Sequence, residues 1–251
     1  MRRVLLLHGL GNNSSIWSGL AGHWRQDVRI HAPDLPWHGG GIPQWRHETD
    51  SARLVGEAID DVPGGADLIV AHSFTSVVLL ELLSRRAAAG DPLDLPGVVL
   101  VNPFYRASAD DFHWDMIAPT LRSFPETLAE SLRLRSLDRP IDPALREDMA
   151  RRLTEWIGPY GWLRFFDTYL RTPLFQVALV RTPCLVIGGA LDASAPASDA
   201  LALAGRMPAA EALILPDSGH FPMLERPGWF ADTVHAFLDR TPEPIGPGAG
   251  I

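Results

Sequence analysis

The stretch Leu68–Leu83, LIVAHSFTSVVLLELL, sets one apolar run against another with His72-Ser73-Phe74 between them. Leu68–Ala71 is continuously apolar, as suits a strand buried on both faces of a sheet. From Phe74 to Ala89 the apolar residues recur at helical spacing. A small hydroxyl residue at the corner between strand and helix has two readings. Ser73 is a turn residue, or it is a nucleophile held at a sharp apex with its Oγ open to a pocket. The remaining sequence weighs the two.

Similar short apolar runs occur at Arg3–Leu7, Val28–Ala32, Val98–Val101, Cys184–Ile187 and Ala212–Leu215. Helical patterns at Asp50–Asp61, Phe74–Ala89, Pro196–Arg206 and Trp229–Leu238 lie between or after them. This alternation predicts βαβ units and an α/β fold, with helices on both sides of the sheet. Phe104–Leu170 breaks the alternation. It shows no strand, has helical patterns at Pro125–Leu137, Pro143–Ile157 and Trp162–Leu170, and carries eleven aromatic residues. These aromatics form either the core of a helical subdomain or the apolar underside of a cap over a site on the sheet.

Three more stretches follow predicted strands, where ligands bind in open α/β sheets. In DSGHFPMLERP, His220 follows a turn at Ser218-Gly219 and precedes an amphipathic helix. In VIGGALDASAP, Asp192 is either a turn or helix-capping residue or the carboxylate that orients a catalytic histidine. Asp217, Asp110 and Asp111 are the other acids considered for that role. In LLLHGLGNNSSIW, Gly9 lets the backbone turn so that the Leu10 N–H faces the site. Paired with the Phe74 N–H, it would form an oxyanion hole. The chain order Ser73, Asp192, His220 is that of the α/β-hydrolase triad and of neither other common serine arrangement.

These stretches resemble the α/β-hydrolase superfamily over nearly the whole chain. APDLPWHGGG is similar to the family's D-L-P-G-x-G segment, and GHFPMLERP to its histidine segment. The start H-G-x-G-x-N and the size of the helical interval resemble small capped carboxylesterases such as those that cleave pimeloyl-carrier-protein methyl ester. The resemblance implies Ser73 as nucleophile, His220 as base, Asp192 as acid, and Leu10 and Phe74 as oxyanion donors. It implies an α/β-hydrolase core at 1–103 and 171–240, with a helical cap at 104–170 inserted after the fourth predicted strand. The chain begins directly at the His-Gly strand, so the expected sheet has about six strands, mostly parallel. Two departures stand out. The elbow reads A-H-S-F-T, with Ala71 and Thr75 replacing its glycines, and Trp37 stands where glycine often follows D-L-P. Trp37 is expected to pack at the surface rather than crowd the pocket mouth. A serine at position 73 excludes the superfamily's chemistries that need a carboxylate nucleophile.

Composition narrows the partners. The chain has 251 residues, 46% hydrophobic and 21% charged, ordinary for a globular enzyme. A net charge of −8 argues against nucleic acid and anionic membranes as main partners. Every basic residue is arginine, and Cys184 is the only cysteine, so no intrachain disulfide is possible. No apolar run is long enough to span a membrane, and Val4–Leu7 is too short for the core of a signal peptide. A cytoplasmic protein is expected, with a disordered Pro- and Gly-rich tail at 241–251. No metal motif, dinucleotide fingerprint or phosphate loop occurs, so no cofactor is expected. The segment HWDM at His113–Met116 is read as packing and surface.

The expected substrate is a small-molecule or carrier-bound acyl compound: an ester, thioester or lactone with an apolar part. Phe112, Trp114, Phe124, Trp156, Trp162, Phe165 and Phe166 would supply the apolar lining. Two other functions stay open at this level. One is acyl transfer or cyclisation by the same triad. The other is a non-catalytic binding protein on the same scaffold, favoured only by Ala71 and Thr75.

Overall fold

The computed structural model describes residues 1–241. Six strands form one sheet: β1 (Arg2–Leu7), β2 (Val28–His31), β3 (Leu68–His72), β4 (Val98–Val101), β5 (Cys184–Gly189) and β6 (Ala210–Leu215). Their order is β2-β1-β3-β4-β5-β6, and every neighbouring pair is parallel. The sheet is thus entirely parallel among the described residues, where the sequence suggested mostly parallel. Each predicted strand is present, with no end shifted by more than two residues.

The apolar runs are continuous because both faces of the sheet are covered. Leu5, Leu7, Ile69, Ala71, Val98, Leu100 and Val186 point to one side. There they meet Val55 and Ile59 of α2 (Ser51–Asp60), Val77 and Leu80 of α3 (Phe74–Ala88), and Leu203 near the end of the later helix Ala197–Ala204. Val4, Leu6, Leu68, Val70, Val99, Val101, Leu185 and Ile187 point to the other side. They meet Ile16 and Leu20 of the short 3-10 segment Ser14–Leu20, and Phe230, Val234 and Leu238 of the last helix, Pro227–Arg240. The period of two along each strand sorts its residues between the two layers.

A one-turn helix, α1 (Ile42–Trp45), precedes α2. Between β4 and β5 come two long helices, α4 (Trp114–Arg135) and α5 (Pro143–Leu170). The sequence reading placed two helices where α5 runs. They abut at Gly158, whose φ of 57° and ψ of −176° kink the chain just before Pro159. α4 starts eleven residues earlier than expected and carries Pro119 and Pro125 inside it. Three helices follow β5: α6 (Ala197–Ala204), the one-turn α7 (Pro222–Glu225) and α8 (Pro227–Arg240). The expected tail lies outside the described residues apart from Thr241. That residue is not free but buried, with its Oγ1 donating to Leu238 O at 2.7 Å. Among the described residues no helix is long and apolar enough to cross a membrane.

Candidate active site

Ser73 sits between β3 and α3 with φ 53° and ψ −123°. A positive φ on a non-glycine residue costs about 1–3 kcal/mol and persists only where the surroundings enforce it. Here they do. The Ser73 N–H donates to Val101 O at 2.8 Å, and Ser73 O accepts from the Ser76 N–H at 2.9 Å. β3 below and α3 above are buried along most of their length, so the corner cannot relax.

The corner meets two loops from β5 and β6. His220 Nε2 lies 3.0 Å from Ser73 Oγ, and His220 Nδ1 lies 2.6 Å from Asp192 Oδ2. A carboxylate only accepts, so Nδ1 carries the proton and Nε2 is left to accept from the serine hydroxyl. The Asp192 carboxylate is fully buried. Its other oxygen accepts from the N–H groups of Ser194 at 2.7 Å and Ala195 at 3.0 Å. One Asp192 oxygen thus closes the turn after β5, and the other faces His220. Asp217 instead pairs with Arg226 at the surface, and Asp110 and Asp111 lie exposed in a short 3-10 turn.

Two residues that hold this geometry escaped the sequence reading. Asn102, at the end of β4, donates through Nδ2 to Gly219 O at 3.0 Å and accepts through Oδ1 from the Gly189 N–H at 2.8 Å. It ties the end of β5 to the loop bearing His220. Glu225 gathers the histidine loop around its carboxylate. It accepts from Ser218 Oγ at 2.9 Å, the Gly219 N–H at 2.6 Å and the Phe221 N–H at 2.9 Å. A polar residue ending an otherwise apolar strand, VVLVN, was the available signal for Asn102. Gly189 lies against the same loop. A Cβ there would fall 2.2 Å from Gly219 O, so only glycine allows the approach.

The start of the chain closes the site from the other side. A Cβ on Gly9 would lie 3.0 Å from Ser73 Cβ, which sets the loop after β1 directly beside the corner. Among the described residues neither the Leu10 nor the Phe74 N–H has an acceptor within the protein. Phe74 opens the fifteen-residue α3, so its N–H also belongs to the positive end of a helix dipole. Buried His8 fixes the loop. It donates from Nδ1 to Gly9 O at 2.9 Å and accepts at Nε2 from the Leu35 N–H at 2.8 Å. Burial pushes the His8 pKa down to about 4, so the ring is neutral, as these bonds require. His72 is also buried, and its Nε2–H donates to His220 O at 2.8 Å. Burial, helped by the neighbouring His220, holds its pKa well below the ordinary histidine value.

The two departures from the family pattern meet each other. Trp37 is fully buried, against the expectation of a surface-packed ring. Its Nε1–H donates to Thr75 Oγ1 at 2.9 Å, and the Thr75 hydroxyl donates to His8 O. The ring stacks edge-on with Trp45 and Phe74 at centroid distances of 5.9 and 5.4 Å. Where the family pattern has glycines, this chain has a buried hydrogen-bonded pair that joins α3 to the end of β1. A β-branched residue at position 75 therefore strengthens the corner instead of loosening it.

A cavity of about 220 Å³ opens over Ser73 and His220. Phe104, Phe124, Phe165, Tyr169 and Met116 supply its apolar wall. Of the seven aromatics expected to line it, Phe124 and Phe165 do. Phe112, Trp162 and Phe166 pack against the core beneath, while Trp114 and Trp156 are 85% and 52% exposed. Asp115 and Met116, read from sequence as packing and surface, line the cavity. Cys184 is buried in β5, and burial pushes its thiol pKa up, which leaves it no part in the site.

A wholly parallel sheet with a strained serine corner after its third strand and a histidine loop after its last defines a class. The chain belongs to the α/β-hydrolase family, whose model matches residues 4–233. It is 28% identical to the pimeloyl-[acyl-carrier protein] methyl ester esterase of Aeromonas salmonicida, over 94% of each chain. It is 29% identical to the enzyme of the same name from Nitrosomonas europaea, over 93% of this chain and 94% of that one. A solved hydrolase from Oleispira antarctica shares the fold with a TM-score of 0.63 at 15% identity, over 96% of this chain and 92% of the other.

Proposed function

We propose that this protein is a serine esterase that cleaves an ester or thioester through an acyl-enzyme. The observation that carries this reading is the relay from Asp192 Oδ2 through His220 to Ser73 Oγ, at 2.6 and 3.0 Å. Ser73 Oγ attacks the carbonyl carbon while His220 Nε2 takes the hydroxyl proton. The Leu10 and Phe74 N–H groups hold the oxyanion, a contribution of about 3–4 kcal/mol for each donor in comparable sites. His220 then gives its proton to the departing alcohol or thiol. Water, deprotonated by the same nitrogen, attacks the acyl-enzyme and releases the acid. Asp192 stays ionised throughout and holds His220 in the tautomer that accepts from Ser73.

In this reading residues 104–170 act as a cap over a core made of 1–103 and 171–240. The likeness to pimeloyl-[acyl-carrier protein] methyl ester esterases supports an acyl substrate that is small or carrier-bound. The small apolar cavity supports a short acyl or alcohol part. The chemistry needs no cofactor, and this reading places it in the cytoplasm. Turnover of a panel of activated esters and thioesters tests the assignment. Ser73→Ala is expected to lower turnover by at least about a thousandfold, and Asp192→Asn by a comparable factor through loss of the correct tautomer. Full activity in Ser73→Ala would refute the nucleophile.

A further inference from the structure

The acyl-transfer steps make no use of α4, yet two of its side chains reach the loops that carry them. Thr127 and Ser131 lie one turn apart on the same face of this helix. Thr127 Oγ1 is 2.7 Å from Ser194 Oγ. It donates its one proton to Ser123 O at 3.3 Å, so at the shorter contact Ser194 is the donor. Ser194 is held from two sides, with its side chain on α4 and its N–H on Asp192 Oδ1 at 2.7 Å. Among the described residues, no other hydrogen bond joins 193–195 to another element. Ser131 is fully buried, and its Oγ donates to Asn12 Oδ1 at 2.7 Å. Asn12 Nδ2 in turn donates to Leu10 O at 3.4 Å. One face of α4 is thus bonded both to the loop of Asp192 and to the loop of Leu10. Thr120 and Ser123, which α4 also turns to the cavity, donate only to carbonyls of their own helix, at Met116 and Thr120.

We propose that Thr127 and Ser131 are positioning residues. Through Ser194 and Asn12 they hold Asp192 and Leu10 in register with Ser73, so the seating of α4 sets how strongly the serine is activated. This rests on the ester-cleavage reading above. The loop of Asp192 needs such a support, because Leu191 and Ala193 on either side of it are exposed and belong to no strand or helix. A displaced Asp192 lets the His220 ring turn away from Ser73 Oγ. A displaced Leu10 N–H no longer meets the oxyanion. Both losses fall on the bond-forming step and not on the filling of the cavity.

The test is the rate at which diisopropyl fluorophosphate modifies Ser73, resolved into the limiting rate kinact and the half-saturating concentration KI. Thr127→Val keeps the shape and removes the hydroxyl, whereas Thr127→Ser keeps the hydroxyl and removes the methyl. Thr127→Val, Ser194→Ala and Ser131→Ala are each expected to lower kinact by about three- to tenfold, with KI changed by less than about twofold. Thr127→Ser is expected to restore most of what Thr127→Val loses, which a packing role would not do. Thr127→Val combined with Ser194→Ala is expected to lose no more than either alone, since the two share one bond. In an Asp192→Asn background Thr127→Val is expected to have no further effect. Thermal unfolding shows which variants are folded, and Ser194→Ala stands in if Thr127→Val is not. An unchanged kinact in Thr127→Val and Ser194→Ala overturns the link to Asp192, and in Ser131→Ala the link to Leu10. A loss that falls on KI, or one that Thr127→Ser shares in full, overturns the proposal while leaving ester cleavage standing. No adduct at Ser73 in the wild-type protein overturns both.

Discussion

Ser73 holds a strained backbone conformation at the corner of the candidate site. Its φ of 53° aims Oγ at His220, and no side chain relieves it. Glycine adopts this conformation freely, whereas alanine does not. Ser73→Gly is therefore expected to be more stable than Ser73→Ala by about 1 kcal/mol in urea denaturation, though both are inactive. Equal stabilities would mean that the corner is relaxed. Thr75 makes a second point at this scale. It keeps the Trp37 indole N–H satisfied where the family pattern would have glycine. Thr75→Val preserves shape but removes the hydroxyl. It is expected to cost about 1–3 kcal/mol of stability and to lower kcat by loosening the loop after β1. A variant with wild-type kcat would show that His8, Gly9 and Leu10 hold their place without it.

At the scale of elements, the strand ends carry the site and loop-to-loop bonds align it. Asn102 is the clearest case, because β4 bears no reacting group and yet Asn102, just past its end, joins the end of β5 to the loop of Gly219. Asn102→Ala leaves a buried N–H and C=O unpaired, and is expected to cost about 2 kcal/mol of stability. kcat should fall by more than KM rises, since the shift is in His220 and not in the cavity wall. An unchanged kcat would assign Asn102 to folding alone. The strands were legible in the sequence, because a buried parallel strand leaves a continuous apolar run. The three residues of the relay were legible for a different reason. Each is a polar residue at or shortly after the end of such a run, and strand ends converge on one edge of the sheet. Trp37 and the aromatics around the cavity were not legible. Whether an aromatic in an inserted helix faces a pocket, the core or water depends on how that helix is rotated and kinked. Here Gly158 kinks α5, and α4 starts eleven residues before the expected Pro125. Asn102 and Glu225 were missed because side-chain to backbone bonds between loops leave no period to detect.

Across the whole molecule, buried histidines link stability to pH. His8 titrates at about 4 in the fold, against an ordinary value of 6.5. His72 is depressed in the same direction, well below its ordinary value. Between those limits the unfolded chain binds more protons than the native one, so the stability present above pH 6.5 is lost as pH falls toward 4. For His8 alone the loss is about 3 kcal/mol. The urea midpoint is expected to drop steadily across this window with little change in slope. A flat midpoint would mean that neither ring is held neutral by the fold.

The central claim is that Ser73 is an activated nucleophile open to the cavity, and intact-mass spectrometry after treatment with a fluorophosphonate tests it most directly. One adduct on the wild-type protein, at Ser73 by peptide mapping, and none on Ser73→Ala is the predicted result. An adduct of equal extent on both proteins, or none on either, would contradict it.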